Sequence, residues 1–565
     1  MSVPPLPSFG SSRRVAGASL SRRNTATSRF WRRYRVLLLV LAGLLVFSGA
    51  FLATSLLHKR TGTSTVTPAI PPLTPQAATP VATTLPLPPP PAPLDPFLKV
   101  AGIEMRNQRG SGEVVPLRGV NLGSWLILEH WMSPLDRGGI KDHWTGLKTL
   151  EDRFGLAEAE RLFDLFYDTW IQDGDFDRIA DLGMNVVRIP IWYRTLQHED
   201  GTWKKDAFQR LDAAVASAWK RGIYTILDLH GPDAQQRANA HCTGRIVPKA
   251  LLWSDPAGQQ RMIALWEGIA AHYVGNPAIA GYDLLNEPMD VPSTAVMADL
   301  LGRCYTAIRA KDPDHTLIME ATFHRWNLSM LPDPRTRGWT NVAYQYHVYP
   351  WGAWNDAEGI KRHTEGTIKD WLDHAAWGVA GQIGEFNMGN KEGWDHAVRS
   401  YSKAGMSWMM WSYKSANNST WGLFLPEGKS QIKPDLHTDS AAQIAAAWQS
   451  WGLEHFRLNP MVGAAVAMPV AVDESYDARP GETLMVAAPG VLANDRRLVV
   501  EGPPVTLKAV LVDRPQHGVV ALEDNGSFRY APTVGFRGYD RFTYRVSDGR
   551  TSSVRLAHCR LKVDQ

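Results

Sequence analysis

The chain has 565 residues, more than one hydrophobic core holds, so two or three folded units with connectors are predicted. Charged residues make up 21% and the net charge is only +4, which excludes a general polyanion-binding surface and with it nucleic acid as a partner. Three cysteines, Cys242, Cys304 and Cys559, are too few and too scattered for a disulfide framework or a zinc site, and leave open only a Cys242–Cys304 bridge.

In chain order, residues 1–35 form a basic leader with eight arginines and no acidic residue. Val36 to Leu57, "VLLLVLAGLLVFSGAFLATSLL", carries no charge over 22 positions, enough to cross a hydrocarbon core of roughly 30 Å. With arginines crowded before it, the segment reads as a transmembrane signal anchor. The leader is then cytoplasmic, and everything after it is periplasmic or extracellular. A cleaved signal peptide, with "SGA" as its small-residue cleavage site, is the rival reading and delivers the chain to the same side. Residues 58–97 are rich in Pro, Ala and Thr and form a semi-extended spacer with little to bury.

From 98 to 456 short apolar runs alternate with helical patterns. The runs are "VPLRGVNL" (115–122), "MNVVRIPI" (184–191), "IYTILDLH" (223–230) and "IAGYDLLNE" (279–287). "HTLIMEA" (315–321), "NVAYQYHVY" (341–349), "GVAGQIGEF" (378–386) and "MSWMMWSYK" (406–414) follow. Between most of them lie amphipathic stretches such as "AEAERLFDLFYDTW" and "KDAFQRLDAAVASAWKRG", though none of any length follows "HTLIMEA". Eight strand–helix units predict a (β/α)8 TIM barrel, an α/β fold. From 466 to 565 the texture turns to Val, Pro, Gly and Thr with period-2 alternation, and "EDNGSF" is a hairpin signal. A small all-β sandwich is predicted there.

In such a barrel the chemistry sits at the C-terminal ends of the strands. Those ends carry Asn121, Arg188, His230, Asn286, Glu287, His347, Tyr349, Glu385 and Trp411. Any one of them alone has a structural explanation: a strand-end His in a hydrogen bond, a barrel Arg paired to a carboxylate. Two facing glutamates, on strands four and seven, meet the needs of glycosidic-bond cleavage. One carboxylic acid protonates the leaving oxygen while the other, ionised, attacks or stabilises the anomeric carbon. The 22 tryptophans fit either large cores or sugar-stacking platforms.

The ordered series "VVRIP", "LDLHG", "LLNEP", "YHVYPW" and "GEFN", with Trp411 on the last strand, resembles glycoside hydrolase family 5, cellulase-type retaining β-glycosidases. The resemblance implies Glu287 as acid/base and Glu385 as nucleophile. It also implies Arg188 and Tyr349 holding the nucleophile, Asn286 on the substrate 2-hydroxyl, and His230 and His347 in the site. Trp411 would floor the −1 sugar. "RGVNLGSWLILEHWMSP" (118–134) looks like the family's exo-1,3-β-glucanase branch, which implies that Glu129 binds the terminal glucose. Read by itself, Glu129 caps or pairs a structural element equally well. After strand three "GPDAQQRANAHCTGR" departs from that branch, leaving exo and endo modes open. "APGVLANDRR" and "GFRGYDRFTYRVSDG" resemble bacterial Ig-like or cadherin-like modules. These imply a spacer or a cell-surface contact, with Asp495, Asp540 and Asp548 as candidate calcium ligands.

The sequence therefore predicts a membrane-anchored retaining glycoside hydrolase acting on a β-linked oligo- or polysaccharide, with no metal or organic cofactor. A transglycosylase using the same intermediate, and a catalytically silent sugar-binding or wall-tethering protein, are the alternatives.

Overall fold

A computed structural model describes residues 95–564 apart from 234–243, 248–249, 324–326, 418 and 429–430. The predicted anchor at 36–57, the leader and Cys242 lie outside the described residues. Among the described residues no helix is long and apolar enough to cross a membrane.

Eight parallel strands close a barrel in sequence order. They are β1 (Arg118–Asn121), β2 (Val186–Trp192), β3 (Tyr224–Gly231), β4 (Ile279–Asp283), β5 (Thr316–Glu320), β6 (Val342–Val348), β7 (Ala380–Phe386) and β8 (Ser407–Met410). β8 pairs with both β7 and β1. Every residue of every barrel strand is buried, because helices cover one face and the packed lumen the other. That is why these strands read as continuous apolar runs rather than as alternation.

The helices have the converse pattern. Leu156–Trp170 buries Ala159, Leu162, Phe163, Phe166, Tyr167 and Trp170, spaced by three and one, so one stripe faces the core, where Phe163 and Phe166 meet Trp448. Gln209–Lys220 does the same with Leu211, Ala214, Val215 and Ala218. Between β5 and β6 the described residues form only two single 3-10 turns, Leu328–Met330 and Pro334–Arg337, since the two prolines of "PDPRTRG" cannot continue a helix. β4 stops at Asp283, earlier than its apolar run suggests. The following "LLNEP" leaves the strand with Glu287 in the left-handed region at φ 42°.

The strands' N-terminal ends are closed by a hairpin, Lys99–Ala101 against Glu104–Arg106. Its neighbours Leu98 and Leu117 and its own Met105 pack on Val186, Ile226 and Met409 of the barrel floor.

The C-terminal strands are β9 (Glu474–Ala478), β10 (Leu484–Val486), β11 (Lys508–Asp513), β12 (Gly518–Leu522), β13 (Phe528–Pro532), β14 (Gly538–Ser547) and β15 (Ala557–Val563). They form a four-stranded sheet, β9-β15-β14-β11, and a three-stranded sheet, β10-β13-β12. Val520, Phe528 and Tyr530 of one sheet share a core with Phe542, Tyr544 and Leu561 of the other. The β12–β13 hairpin turns at Asn525-Gly526, where Gly526 takes φ 84°.

The candidate calcium ligands do not converge. Asp495 accepts bonds from Val472 N–H and the Tyr544 hydroxyl, and Asp540 from Gln516 N–H, His517 N–H and the Tyr530 hydroxyl. Asp548 pairs with Arg497 at 2.6 Å. Each carboxylate is committed to fixing a local turn or strand, and the tight acidic groupings among the described residues all lie in the barrel. Cys304 and Cys559 are buried free thiols.

Candidate active site

Arg188, in the middle of β2, is fully buried at the centre of the barrel's C-terminal end. Its Nε donates to Asp283 Oδ2 at 2.8 Å, Nη1 to Asn121 Oδ1 at 3.0 Å and Glu385 Oε1 at 2.8 Å. Nη2 donates to Asn286 Oδ1 at 2.9 Å and Glu320 Oε1 at 2.8 Å, with Asp228 Oδ2 3.1 Å away. One guanidinium thus gathers groups from β1, β3, β4, β5 and β7. It cannot neutralise four buried carboxylates, so protons make up the difference. Burial first, then the neighbouring charges, raise Asp283 well above the carboxylate range and Glu320 to about 7.

Glu385 and Glu287 are driven apart. Burial pushes Glu385 up, but His347, Arg188, His230 and the hydrogen bond from the Tyr349 hydroxyl (2.7 Å) outweigh it and hold it below the usual carboxylate range. Burial pushes Glu287 up to about 8, with the bond from His347 Nδ1 (2.9 Å) working against that rise and the charge on Glu385 adding to it. At neutral pH one carboxyl is therefore ionised and the other protonated. Both reach the same histidine nitrogen, which is 3.4 Å from Glu385 Oε2, and an oxygen of each lies within 4.8 Å of the other.

Glu287 pays for its position with a left-handed backbone, a strain of about 1–3 kcal/mol in a non-glycine residue. Glu320 Oε2 holds it there by accepting the Glu287 N–H at 2.7 Å. Asn286 is fixed by donating to His230 Nε2 at 3.2 Å while accepting from Arg188. His230 meets Asp228 through Nδ1 at 2.7 Å, and its ring stacks on Trp411 at 5.5 Å and 11°. Burial alone would lower His230, and the charge and hydrogen bond of Asp228, with the charge on Glu385, together raise it instead.

Glu129 is buried in the segment after β1 and accepts from the Trp131 indole at 2.6 Å. Burial raises it to about 8, His230 opposes the rise, and the charge on Glu385 adds to it. Glu129 therefore sits in the electrostatic reach of the site. Around it Met132, Tyr349 and Trp411 pack with Trp131, Trp354 and Trp421. Trp421 comes from "NNSTWGLF" after β8, and the exposed Trp351 leans on Tyr349 and Trp421 at 5.5 and 6.1 Å. The nine strand-end residues singled out in the sequence, and Glu129, thus gather at one end of the barrel. Four partners were not singled out. Asp228, Asp283, Glu320 and Gln345 lie within apolar strands, where an unexplained polar residue is itself the signal of a buried network.

Comparison with known proteins decides the family. Residues 146–417 match the family model described as Cellulase (glycosyl hydrolase family 5). A β-xylosidase of Phanerodontia chrysosporium is 30% identical over 348 residues, 56% of this chain and 71% of that protein. The chain belongs to glycoside hydrolase family 5. It is a glycoside hydrolase, and its substrate is a carbohydrate. This family 5 enzyme is also 32% identical over 216 residues to a probable glucan 1,3-beta-glucosidase A of Neosartorya fischeri, 37% of this chain and half the length of that protein. The crystal structure of an endogalactoceramidase superposes on it with a TM-score of 0.48 at 19% identity, over 80% of this chain and 99% of that one. Residues 467–556 match a Bacterial Ig domain.

Proposed function

We propose that the enzyme cleaves the β-glycosidic bonds of a β-glucan or related oligosaccharide with retention of configuration. The observation that carries this reading is the approach of Glu287 and Glu385 to within 4.8 Å, oxygen to oxygen. Inversion needs carboxyl groups roughly 6.5–9.5 Å apart to seat a water between base and sugar, whereas retention uses about 5–5.5 Å.

In the first step a Glu385 oxygen bonds to the anomeric carbon, the glycosidic C–O bond breaks, and Glu287 gives its proton to the departing oxygen. In the second, Glu287, now a carboxylate, takes a proton from water. The water oxygen bonds to the anomeric carbon, and Glu385 leaves. Arg188 and Tyr349 keep Glu385 ionised between turnovers. In this reading Asn286 binds the 2-hydroxyl, Trp411 stacks on the sugar face, and Glu129 binds the hydroxyls of a terminal residue. No step requires a metal or an organic cofactor. The substrate class is supported by the relatives, a β-xylosidase and a glucan 1,3-β-glucosidase.

Proton NMR of the first-formed product, over a panel of β-glucans, mannans, xylosides and aryl glycosides, tests both points. The β-anomer is expected first, from a glucan or xyloside. An α-anomer first, or cleavage of mannans alone, overturns the reading. The same panel separates hydrolysis, in which oligosaccharides only shrink, from transfer, in which they grow.

A pH profile follows from the two carboxyls. Turnover needs Glu385 ionised and Glu287 protonated. It is therefore lost as pH falls through the depressed value of Glu385, and again as pH rises through about 8 for Glu287. kcat/KM against pH is expected to fall on the alkaline side near 8, and Glu287→Gln is expected to lack that limb. A variant that keeps the limb removes Glu287 from the role.

We also propose that residues 36–57 anchor the chain with the barrel outside the cytoplasm. Full-length protein is then expected in the membrane fraction and a chain lacking residues 1–57 in the soluble one. Equal partitioning of both refutes the anchor.

A further inference from the structure

The opposite end of the barrel holds a second concentration of charge that the reaction does not use. Where the Ig-like domain meets the barrel floor there is a cavity of about 230 Å³, lined among others by Arg118, Arg545, Ser402, Ser552, Ser553 and Trp371. Arg118 opens β1, so its side chain lies at the floor and not at the catalytic mouth. It is 7% exposed. Its Nη1 and Nη2 reach only backbone carbonyls, Ser552 O and Ser402 O, both at 3.3 Å, and its Nε meets no acceptor among the described residues. Arg545, from β14, bonds to Ser553 O at 2.6 Å, Val554 O at 2.9 Å and Val114 O at 3.4 Å. Among the described residues no carboxylate stands within ion-pair distance of either guanidinium, and Glu113 acts on Arg545 only from farther off, too weakly to offset its burial. Glu104, on the cavity's edge, is taken by Arg106 at 2.5 Å.

The contrast within the same chain is informative. Arg188 is buried among four carboxylates, and the largely buried side chain of Arg497 pairs with Asp548 at 2.6 Å. A buried guanidinium without a counter-charge is costly, because burial removes its hydration and nothing replaces it. Here two are placed side by side, and burial together with Arg545 lowers Arg118 to about 10. Neutral carbonyls at 3.3 Å do not offset that. An oxyanion in the cavity would, since each planar fork presents paired N–H groups to two oxygens. The volume exceeds the roughly 30 Å³ share of a water molecule several-fold, leaving room for such an ion with part of its hydration.

We propose that the cavity bounded by Arg118 and Arg545 is a binding site for a small free oxyanion of the phosphate or sulfate type, which joins the barrel floor to the Ig-like domain. One guanidinium comes from each side, so the ion bridges the two and its occupancy stiffens their junction. The site is independent of the carboxylate pair. Occupancy leaves turnover of an aryl glycoside unchanged.

Titration calorimetry of the intact enzyme with inorganic phosphate, in a chloride buffer of matched ionic strength, tests the site. Saturable binding in the millimolar range or tighter is expected, with Arg545→Gln weakening it at least tenfold and Arg545→Lys less. Phosphate should also raise the Tm of the wild type by about 2 °C more than that of Arg545→Gln, the variant serving as control for the ion's general stabilising effect. No saturable heat with the wild type, or equal binding by Arg545→Gln, overturns the proposal. Should Arg545→Gln not fold, crystals of the wild type soaked in selenate decide. An anomalous peak within hydrogen-bonding reach of both guanidiniums supports the site, and water alone there refutes it.

Discussion

Glu385→Gln is expected to turn over the fastest aryl β-glycoside of the panel about 10⁴-fold more slowly than the wild type, roughly 5.5 kcal/mol of lost transition-state stabilisation. The amide has the volume of the carboxylate, and its one oxygen still accepts from Arg188 while its NH2 faces the Tyr349 hydroxyl, but it does not form the glycosyl ester. The fold should tolerate the change. Arg188 keeps Asp228, Asp283 and Glu320, so the loss of one negative charge relieves a site that already carries more carboxylates than one guanidinium balances. An unaltered unfolding transition alongside the collapsed rate separates chemistry from stability. The wild type should also be labelled at Glu385 by a 2-fluoro sugar with a reactive leaving group, because the electron-withdrawing fluorine slows release of the intermediate. A rate within tenfold of wild type, or a label on another residue, removes Glu385 from the attacking role.

That so much of this barrel can be read from its sequence follows from the physics of a parallel sheet. A strand buried on both faces must be apolar throughout, and its boundary shows wherever the run ends in a polar residue that has work to do. Arg188, His230, His347 and Glu385 were legible on that ground. What escaped notice has a physical reason in each case. β4 ends at Asp283, but Leu284 and Leu285 continue the apolar run into the barrel mouth and disguise the turn that sets Glu287 at φ 42°. Glu320 belongs to no recognisable motif, and its two duties, taking Arg188 on one oxygen and the Glu287 N–H on the other, exist only once β2, β4 and β5 are side by side. Asp228 and Asp283 did carry a signal. A carboxylate inside "TILDLH" or "AGYDLL" is affordable only with a buried partner. The aspartates read as candidate calcium ligands in the Ig-like domain do not converge, because aspartates in turns are as useful for capping backbone N–H groups as for binding ions. Asp540 is fully engaged in that way.

Glu287→Gln is expected to have an effect that depends on the leaving group, and this dependence is what distinguishes an acid/base from a residue that merely shapes the site. With a poor leaving group the first step lacks its proton donor, and the loss should approach that of Glu385→Gln, on the order of 10³–10⁴-fold. With a dinitrophenyl leaving group no proton is needed to break the bond, so the glycosyl-enzyme forms and waits, because no base is left to activate water. Azide needs no such base. Added azide should attack the waiting anomeric carbon, release Glu385, restore turnover many-fold and yield the β-glycosyl azide. Glu320 should keep residue 287 in place in the variant, since its bond is to the backbone N–H and not to the side chain, so the geometry of the intermediate is preserved. Equal losses for good and poor leaving groups, with no response to azide, would show that Glu287 orders the cleft through His347 and transfers no proton.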